Sequence, residues 1–588
     1  MKLETKTHST SLDPELQSKD SVSTTCQNCQ KDFTIEPDDF SFYEKIKVPP
    51  PTFCPECRLT RRLVWRNMRS LYKRECGLCK KNLISCYKED VCPVYCVECF
   101  NGDGWDQYAH AQELDHSRDF FSQIYNLFKL QPRVYQLRIG TIINGDYGNY
   151  VGNSKNSYMC FSSIDNEDVI YSENIDRSRD TLDSLSVADL EQCSWNIFST
   201  KNYNSQFMLR TNSCIDSSFL YDCVNCQNCC LSSNLRNQQY IFRNKKLNKE
   251  TYREALDGLH LETYSGFKKA ENEFIDLYKN AIHKYAQIIS SPNSTGDWIL
   301  NSKNIFKSFN ILDSSEDVRY CMRFVKGKDI FDCTYGVSGE FLYECTGVGS
   351  NSYNQLFSML CFGSKDILYS ISCRNCSDCF GCVGLKNAQY CILNKQYSKE
   401  EYFELLPKII KHMTDMPYID KMNRIYKYGE FFPFEFSPFG YNETIAIDIF
   451  PINKEKSITM GYNWKERGDR NYSGLVSSRD LPDSISDIQD LILSQVISCL
   501  NNGKQEFQCT NAFKIVSDEL RFYREKKLPL PRYCPNCRHY QRLVYRNPMK
   551  LWHRKCMKDK CQNEFETSYA PDRPEIVYCE KCYQQEVY

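Results

Sequence analysis

"CQNCCLSSNLRNQQYIFRNKKLNKETY" (Cys226 to Tyr252) returns 150 residues later as "CSDCFGCVGLKNAQYCILNKQYSKEEY" (Cys376 to Tyr402), with Leu235/Leu385, Asn237/Asn387, Tyr240/Tyr390 and Asn244/Asn394 in step. Short apolar or β-branched triplets recur around each copy about every 11 to 13 residues, among them Val169-Ile170-Tyr171, Ser218-Phe219-Leu220, Asp329-Ile330-Phe331 and Ile367-Leu368-Tyr369. Triplets this short, separated by Asn, Asp, Ser and Gly, suit strands joined by tight corners, and a fixed period over many repeats favours a solenoid. Two strands per turn give a turn of about 22 to 24 residues. The expected fold class is mainly β with helices: a parallel β-helix-like solenoid in two repeats, with a β-sandwich as the alternative.

A second duplication lies outside the first. "FTIEPDDFSFYEKIKVPPPTFCPECRLTRRLVWRNMRSLYKREC" (Phe33 to Cys76) reappears as "FKIVSDELRFYREKKLPLPRYCPNCRHYQRLVYRNPMKLWHRKC" (Phe513 to Cys556). The N-terminal copy pairs Cys26-x-x-Cys29 with Cys54-x-x-Cys57, and Cys76-x-x-Cys79 with Cys96-x-x-Cys99. A Cys-x-x-Cys turn points two sulfurs and several N–H groups at one metal, and two such turns complete a tetrahedron, so paired zinc ribbons are expected at both ends. An iron or iron–sulfur centre is the minor alternative, and Cys86 and Cys92 are left over as buried or free thiols. The C-terminal copy keeps Cys534/Cys537 and Cys579/Cys582, stretches one turn to Cys556/Cys561, and places Glu506 where Cys26 stands. Cys509 stands where Cys29 does, and the fourth ligand beside it is Cys499, or else Glu506, or the site is a degenerate three-cysteine one. About four zinc ions per chain are expected.

Between the sites of each copy runs a basic, aromatic stretch containing Arg58, Arg61, Arg62 and Arg66, then Arg538, Arg542 and Arg546. Arginines with interleaved aromatics grip phosphates and stack on bases, so these seven are candidate nucleic-acid contacts. Alternatively they neutralise thiolate-rich sites and hydrogen-bond to sulfur. Net charge is −1, which makes no global case for nucleic acid; four tetrathiolate zinc sites would bring it to about −9.

Cys373, Cys376, Cys379 and Cys382 recur every third residue, as do Cys223, Cys226 and Cys229. The spacing departs from that of ferredoxins, and a row of small buried thiols at a solenoid corner competes with metal binding there. Phe267, Ala270, Phe274, Leu277, Tyr278, Ala281, Ile282 and Tyr285 follow helical spacing, predicting an amphipathic helix that covers the end of the first repeat.

The expected organisation is a disordered tail (1–24), paired N-terminal ribbons (25–102), a helical connector (103–150), solenoid repeat 1 (151–245), a helical insert (246–300), solenoid repeat 2 (301–397), a helix and mixed linker (398–498) and paired C-terminal ribbons (499–588). With 34 cysteines, no apolar N-terminal leader and no run of about 18 apolar residues, the chain reads as soluble and cytoplasmic, its thiols on metal or buried rather than in disulfides. None of the eight histidines falls in an H-E-x-x-H pattern, and no phosphate-binding glycine loop or nucleophile elbow occurs. No catalytic residue is assigned. Asp329, Asp332, Glu340 and Glu344 could serve a carbohydrate-active β-helix only if they shared an open face.

The motifs "FY...P.P..CP.CR...RL...RN", "C.NC..C...NLRN.QY...NK..NKE.Y" and "FETSYAPDRPEIVYCEKCY" together resemble a family of large zinc-ribbon proteins common in candidate phyla radiation bacteria. The resemblance spans most of residues 25–588 and implies a soluble protein with terminal zinc ribbons; it brings no activity with it. The expected function is therefore a non-enzymatic structural zinc-binding protein whose solenoid offers a binding or assembly surface. Nucleic-acid binding through the ribbons, and more weakly a carbohydrate-active enzyme, are the alternatives.

Overall fold

The computed structural model describes residues 21–466, 468, 472–504 and 507–588. It is sheet-rich, with twelve α-helices among the described residues. Two compact units form, each from three separated stretches of chain: the chain up to Leu63, Gln107–Gln131 and Val318–Phe436 in the first, and Val64–Asp106, Pro132–Asp317 and Ser437–Tyr588 in the second.

The second unit carries a long parallel ladder in which partners on neighbouring strands, such as Ser194 and Gln206, are 12 residues apart in sequence. Gln206 pairs in turn with Ser218, and Ser218 with Cys230. Strand Ser194–Ile197 pairs with both Arg179–Leu182 and Leu185–Ala188, so seven parallel strands between Gly148 and Ile197 close into a ring. The first unit repeats the same spacing, Tyr353 to Lys365 to Ser377 to Gln389. The expected turn of about 22 to 24 residues is therefore corrected to half that length.

The reason lies in a three-residue unit. Every third residue from Tyr150 to Arg243 has a left-handed backbone, with φ between 41° and 58°. Each such residue bends the chain, and four bends complete one turn. Asn and Asp tolerate this conformation best, and many of these positions are Asn or Asp. Trp195, Phe207 and Phe219 adopt it too, at a cost of about 1–2 kcal/mol each. Two interactions offset that cost. The N–H of a left-handed residue donates to a carbonyl of the preceding turn, as in Asp183 to Ile170 at 3.1 Å and Asp222 to Leu209 at 2.9 Å. Side chains one turn apart also stack: Trp195 on Phe207 and Phe207 on Phe219, with centroids 5.4 and 4.9 Å apart.

The residue after each left-handed one points inward. Every third residue from Ser172 to Ser232 is at most 4% exposed, and most are Ser, Cys, Asn or Thr. Their hydroxyls and thiols donate to the carbonyl two residues back: Ser184 to Leu182 at 3.2 Å and Cys214 to Asn212 at 3.6 Å. Small hydrogen-bonding groups fit because so tight a turn has little interior to fill, and a buried polar atom needs a partner. Cys373, Cys376, Cys379 and Cys382 occupy these inward positions, each donating to a backbone carbonyl. The triplet turn alone accounts for their spacing.

Helices cover the ladder. In the second unit Tyr264–Asn280 lays Phe267 against Phe207 and Phe219 (4.7 and 5.9 Å), along successive rungs rather than over the end. The last rung instead meets helix Lys249–Asp257, where Tyr252 packs on Tyr240. Helical spacing continued to Tyr285 in the sequence, yet the helix stops at Asn280, because Ile282–Lys284 is a strand paired with Ile576–Tyr578. In the first unit helix Phe120–Leu130 sets Phe120 against Tyr369 and Phe380, and Phe42 of helix Pro37–Lys45 stacks on Phe331 at 3.7 Å. No helix among the described residues is long and apolar enough to cross a membrane.

Candidate metal centres

Local sequence builds each cysteine cluster from two turns. One is the tip of an antiparallel hairpin: Val22–Thr25 with Asp32–Ile35 presents Cys26 and Cys29, and Tyr72–Glu75 with Asn82–Ser85 presents Cys76 and Cys79. Gln30 and Lys80, each directly after the second cysteine, take left-handed φ values of 59° and 64° that close the tip. Hairpin Trp552–Lys555 with Glu564–Thr567 does the same for Cys556 and Cys561. The other turn is a helix start. Cys54-Pro55 and Cys534-Pro535 place proline at the first helical position, where its missing N–H costs nothing and its fixed φ is already helical.

Four groups of four sulfurs result: Cys26, Cys29, Cys54 and Cys57; Cys76, Cys79, Cys96 and Cys99; Cys499, Cys509, Cys534 and Cys537; Cys556, Cys561, Cys579 and Cys582. Cys499 joins the third group, while Glu506 lies outside the described residues. A tetrahedral ion with bonds of about 2.3 Å to sulfur sets neighbouring sulfurs about 3.8 Å apart. The Cys29–Cys54, Cys79–Cys96, Cys499–Cys537 and Cys561–Cys579 pairs measure 3.8, 3.8, 3.7 and 3.9 Å. That is too long for a disulfide and right for a shared cation. All 34 cysteines are free of disulfides.

Backbone N–H groups point at the sulfurs: Cys54 to Cys26 at 3.2 Å, Cys96 to Cys76 at 3.3 Å, Cys534 to Cys499 at 3.2 Å and Cys579 to Cys556 at 3.3 Å. Asn28 and Asn563 add side-chain donors to Cys57 and Cys579. Such donors spread the negative charge of thiolates that hold a cation. The residues present thus fit four metal ions, each closed by four sulfurs. Cys86 and Cys92 stay outside the clusters as buried thiols.

The arginines offered above as nucleic-acid contacts are elsewhere. Arg58, Arg61, Arg62, Arg66, Arg538 and Arg542 are all buried, and Arg546 is half-buried. In the first unit Arg58 meets Asp332 at 2.9 Å, Arg61 meets Glu344 and Glu430 at 2.7 Å each, and Arg62 meets Glu344 at 3.2 Å. Three cations face three anions. In the second unit Arg538 and Arg542 each meet Asp183 at 2.6 Å, and Arg538 also meets Glu519 at 3.0 Å, two against two. Arg66 lies over the Tyr150 ring at 3.6 Å, and Arg546 donates to the carbonyl of Asp448. Arg58, Arg61, Arg62, Arg538 and Arg542 tie their helices to carboxylates on or beside the ladder, so these five present no open face to phosphate, and their anionic partners are carboxylates rather than the thiolates first expected. Asp332 and Glu344 are taken up by the same buried pairing, so they share no open face with Asp329 and Glu340.

Burial acts on these charges in a consistent direction. It raises the Asp332 carboxyl, with Arg58 and Arg62 pulling back, and raises Glu519 against the pull of Arg538. Burial alone would lower Arg61, but Glu344 and Glu430 reverse the sign and keep it charged.

One further cluster escaped the sequence: Glu173, Asp448 and His539 bring three potential ligand atoms within 4.8 Å of one another. A signal for it was present, since His539 replaces Leu59 between the two copies of the 33–76 phrase.

Comparison with protein-family models, curated proteins and solved structures finds no match.

Proposed function

We propose that this chain is a cytoplasmic, zinc-stabilised scaffold of the kind its motifs resemble: a β-solenoid of tight, four-cornered turns, pinned by four structural zinc ribbons, whose outer rows form a binding or assembly surface. The observation that carries it is the set of four closed tetracysteine clusters with sulfur spacings of 3.7–3.9 Å. Four thiolates leave no position for substrate water, which is the signature of a structural rather than a catalytic ion. Zinc suits such a set because it is tetrahedral, tolerates all-sulfur ligation and does not change oxidation state.

The surface part of the proposal rests on the ladder's outside. Asn and Asp side chains bond to one another one turn apart, as Asn153 to Asp165 at 3.0 Å, Asn204 to Asp216 at 2.7 Å and Asn225 to Asn237 at 2.7 Å. Rigid rows of polar groups at a fixed spacing suit recognition of another repetitive surface.

Zinc K-edge absorption on the purified full chain tests the metal assignment. The expected first shell is sulfur at about 2.3 Å with four ligands per ion. A shell dominated by nitrogen or oxygen, or a protein that carries iron instead, would refute it.

A further inference from the structure

His539 lies on helix Pro535–Leu543, fully buried, and neither ring nitrogen has a hydrogen-bond partner. Glu173 on the ladder is also fully buried, and neither carboxylate oxygen has one. Other buried acids of the same unit behave differently: Asp183 takes two arginines at 2.6 Å. The unbonded groups face each other, with His539 Nε2 3.8 Å from Glu173 Oε2 and 3.5 Å from Asp448 Oδ2. Ligands held about 2.1 Å from one ion lie about 3.0–3.4 Å from each other, so a small inward shift would seat all three on it. Arg69 stands 3.5 Å from Glu173 without hydrogen-bonding to it, and Arg542 is occupied by Asp183.

The first unit supplies an internal comparison. Tyr320 and Asp332 meet Arg58 as Tyr171 and Asp183 meet Arg538, at one constant offset along the ladder. By that offset Glu173 corresponds to Met322, and in the ribbon repeat His539 corresponds to Leu59; both are buried. Positions that one unit fills with apolar side chains, the other fills with an acid and an imidazole left unbonded.

We propose that Glu173, Asp448 and His539 form a fifth metal site, made of oxygen and nitrogen donors and chemically distinct from the thiolate sites, for a divalent first-row transition ion. With three protein ligands such an ion keeps a position for water or an oxygen ligand. Asp448, Tyr540 and Arg69 also line a cavity of about 640 Å³, from which that ligand would enter.

Mn²⁺ is the probe, because it prefers oxygen and nitrogen over thiolate. Zinc-loaded full-length protein, briefly chelated so that only thiolate-bound zinc remains, is titrated with Mn²⁺ and free ion is read by electron paramagnetic resonance. The expected result is one bound Mn²⁺ per chain showing imidazole nitrogen coupling, weakened more than tenfold in both His539→Leu and Glu173→Gln at unchanged zinc content. Unbound Mn²⁺ at millimolar concentration, binding without nitrogen coupling, or variants that bind like wild type would overturn the site. Should either variant lose zinc through misfolding, the nitrogen coupling in the wild type decides.

Discussion

Asp183→Ala is expected to destabilise the second unit by about 3–5 kcal/mol. Asp183 is 1% exposed and is the shared anion of Arg538 and Arg542, both at 2.6 Å. Removing it leaves two guanidiniums buried with only Glu519 to balance them, and an uncompensated buried charge costs far more than a surface pair contributes. Asp183→Asn should cost less, because an amide oxygen still accepts one hydrogen bond. Hydrogen exchange along helix Pro535–Leu543 is the direct measurement: faster exchange there is expected, and exchange unchanged from wild type would contradict the pairing. Glu344→Ala, facing Arg61 and Arg62, should act alike in the first unit.

Cys534→Ser is expected to remove one of four zinc ions and unfold its ribbon. In zinc-finger peptides structural zinc binding is worth about 10–16 kcal/mol at pH 7, nearly all of it folding free energy. Cys534 sits at the start of helix Pro535–Leu543 and in one core with Ile497, Phe513, Leu520, Leu530 and the ladder residues Ile170 and Leu182, so loss of the ion loosens packing well beyond the knuckle. Cys376→Ser is the contrast. Its thiol donates to the Arg374 and Leu385 carbonyls inside the ladder, a place a hydroxyl can take, and zinc content should stay the same. Metal analysis and circular dichroism on the two variants separate a ligand from a lining thiol; equal zinc loss in both would refute the distinction.

The four cysteine groups were legible because their geometry is local: a Cys-x-x-Cys turn carries two sulfurs in one short loop. Even the irregular Cys499 was within reach, through the missing partner of Cys509. The ladder was half legible. Its rhythm shows in the triplets, but turn length depends on left-handed backbone at every third position, and residues such as Trp195 and Phe207 give no sign of it. Ordinary strands alternate by two, and a period of three was masked by that expectation. The arginines misled for a different reason. A cation-rich aromatic helix looks the same whether it faces phosphate or carboxylate, and the deciding partners Asp332 and Glu344 lie in a distant part of the chain from Arg58 and Arg62. Only the fold brings them together. The same holds for Glu173 and His539, one on the ladder and one on a ribbon.

Counting the zinc released from purified, briefly chelated full-length protein as its thiols are titrated with an organomercurial tests the four closed thiolate sites. Four zinc ions per chain, freed only as thiols react, are predicted from the four cysteine groups. Two or fewer, or zinc that leaves before any thiol is modified, would contradict the account.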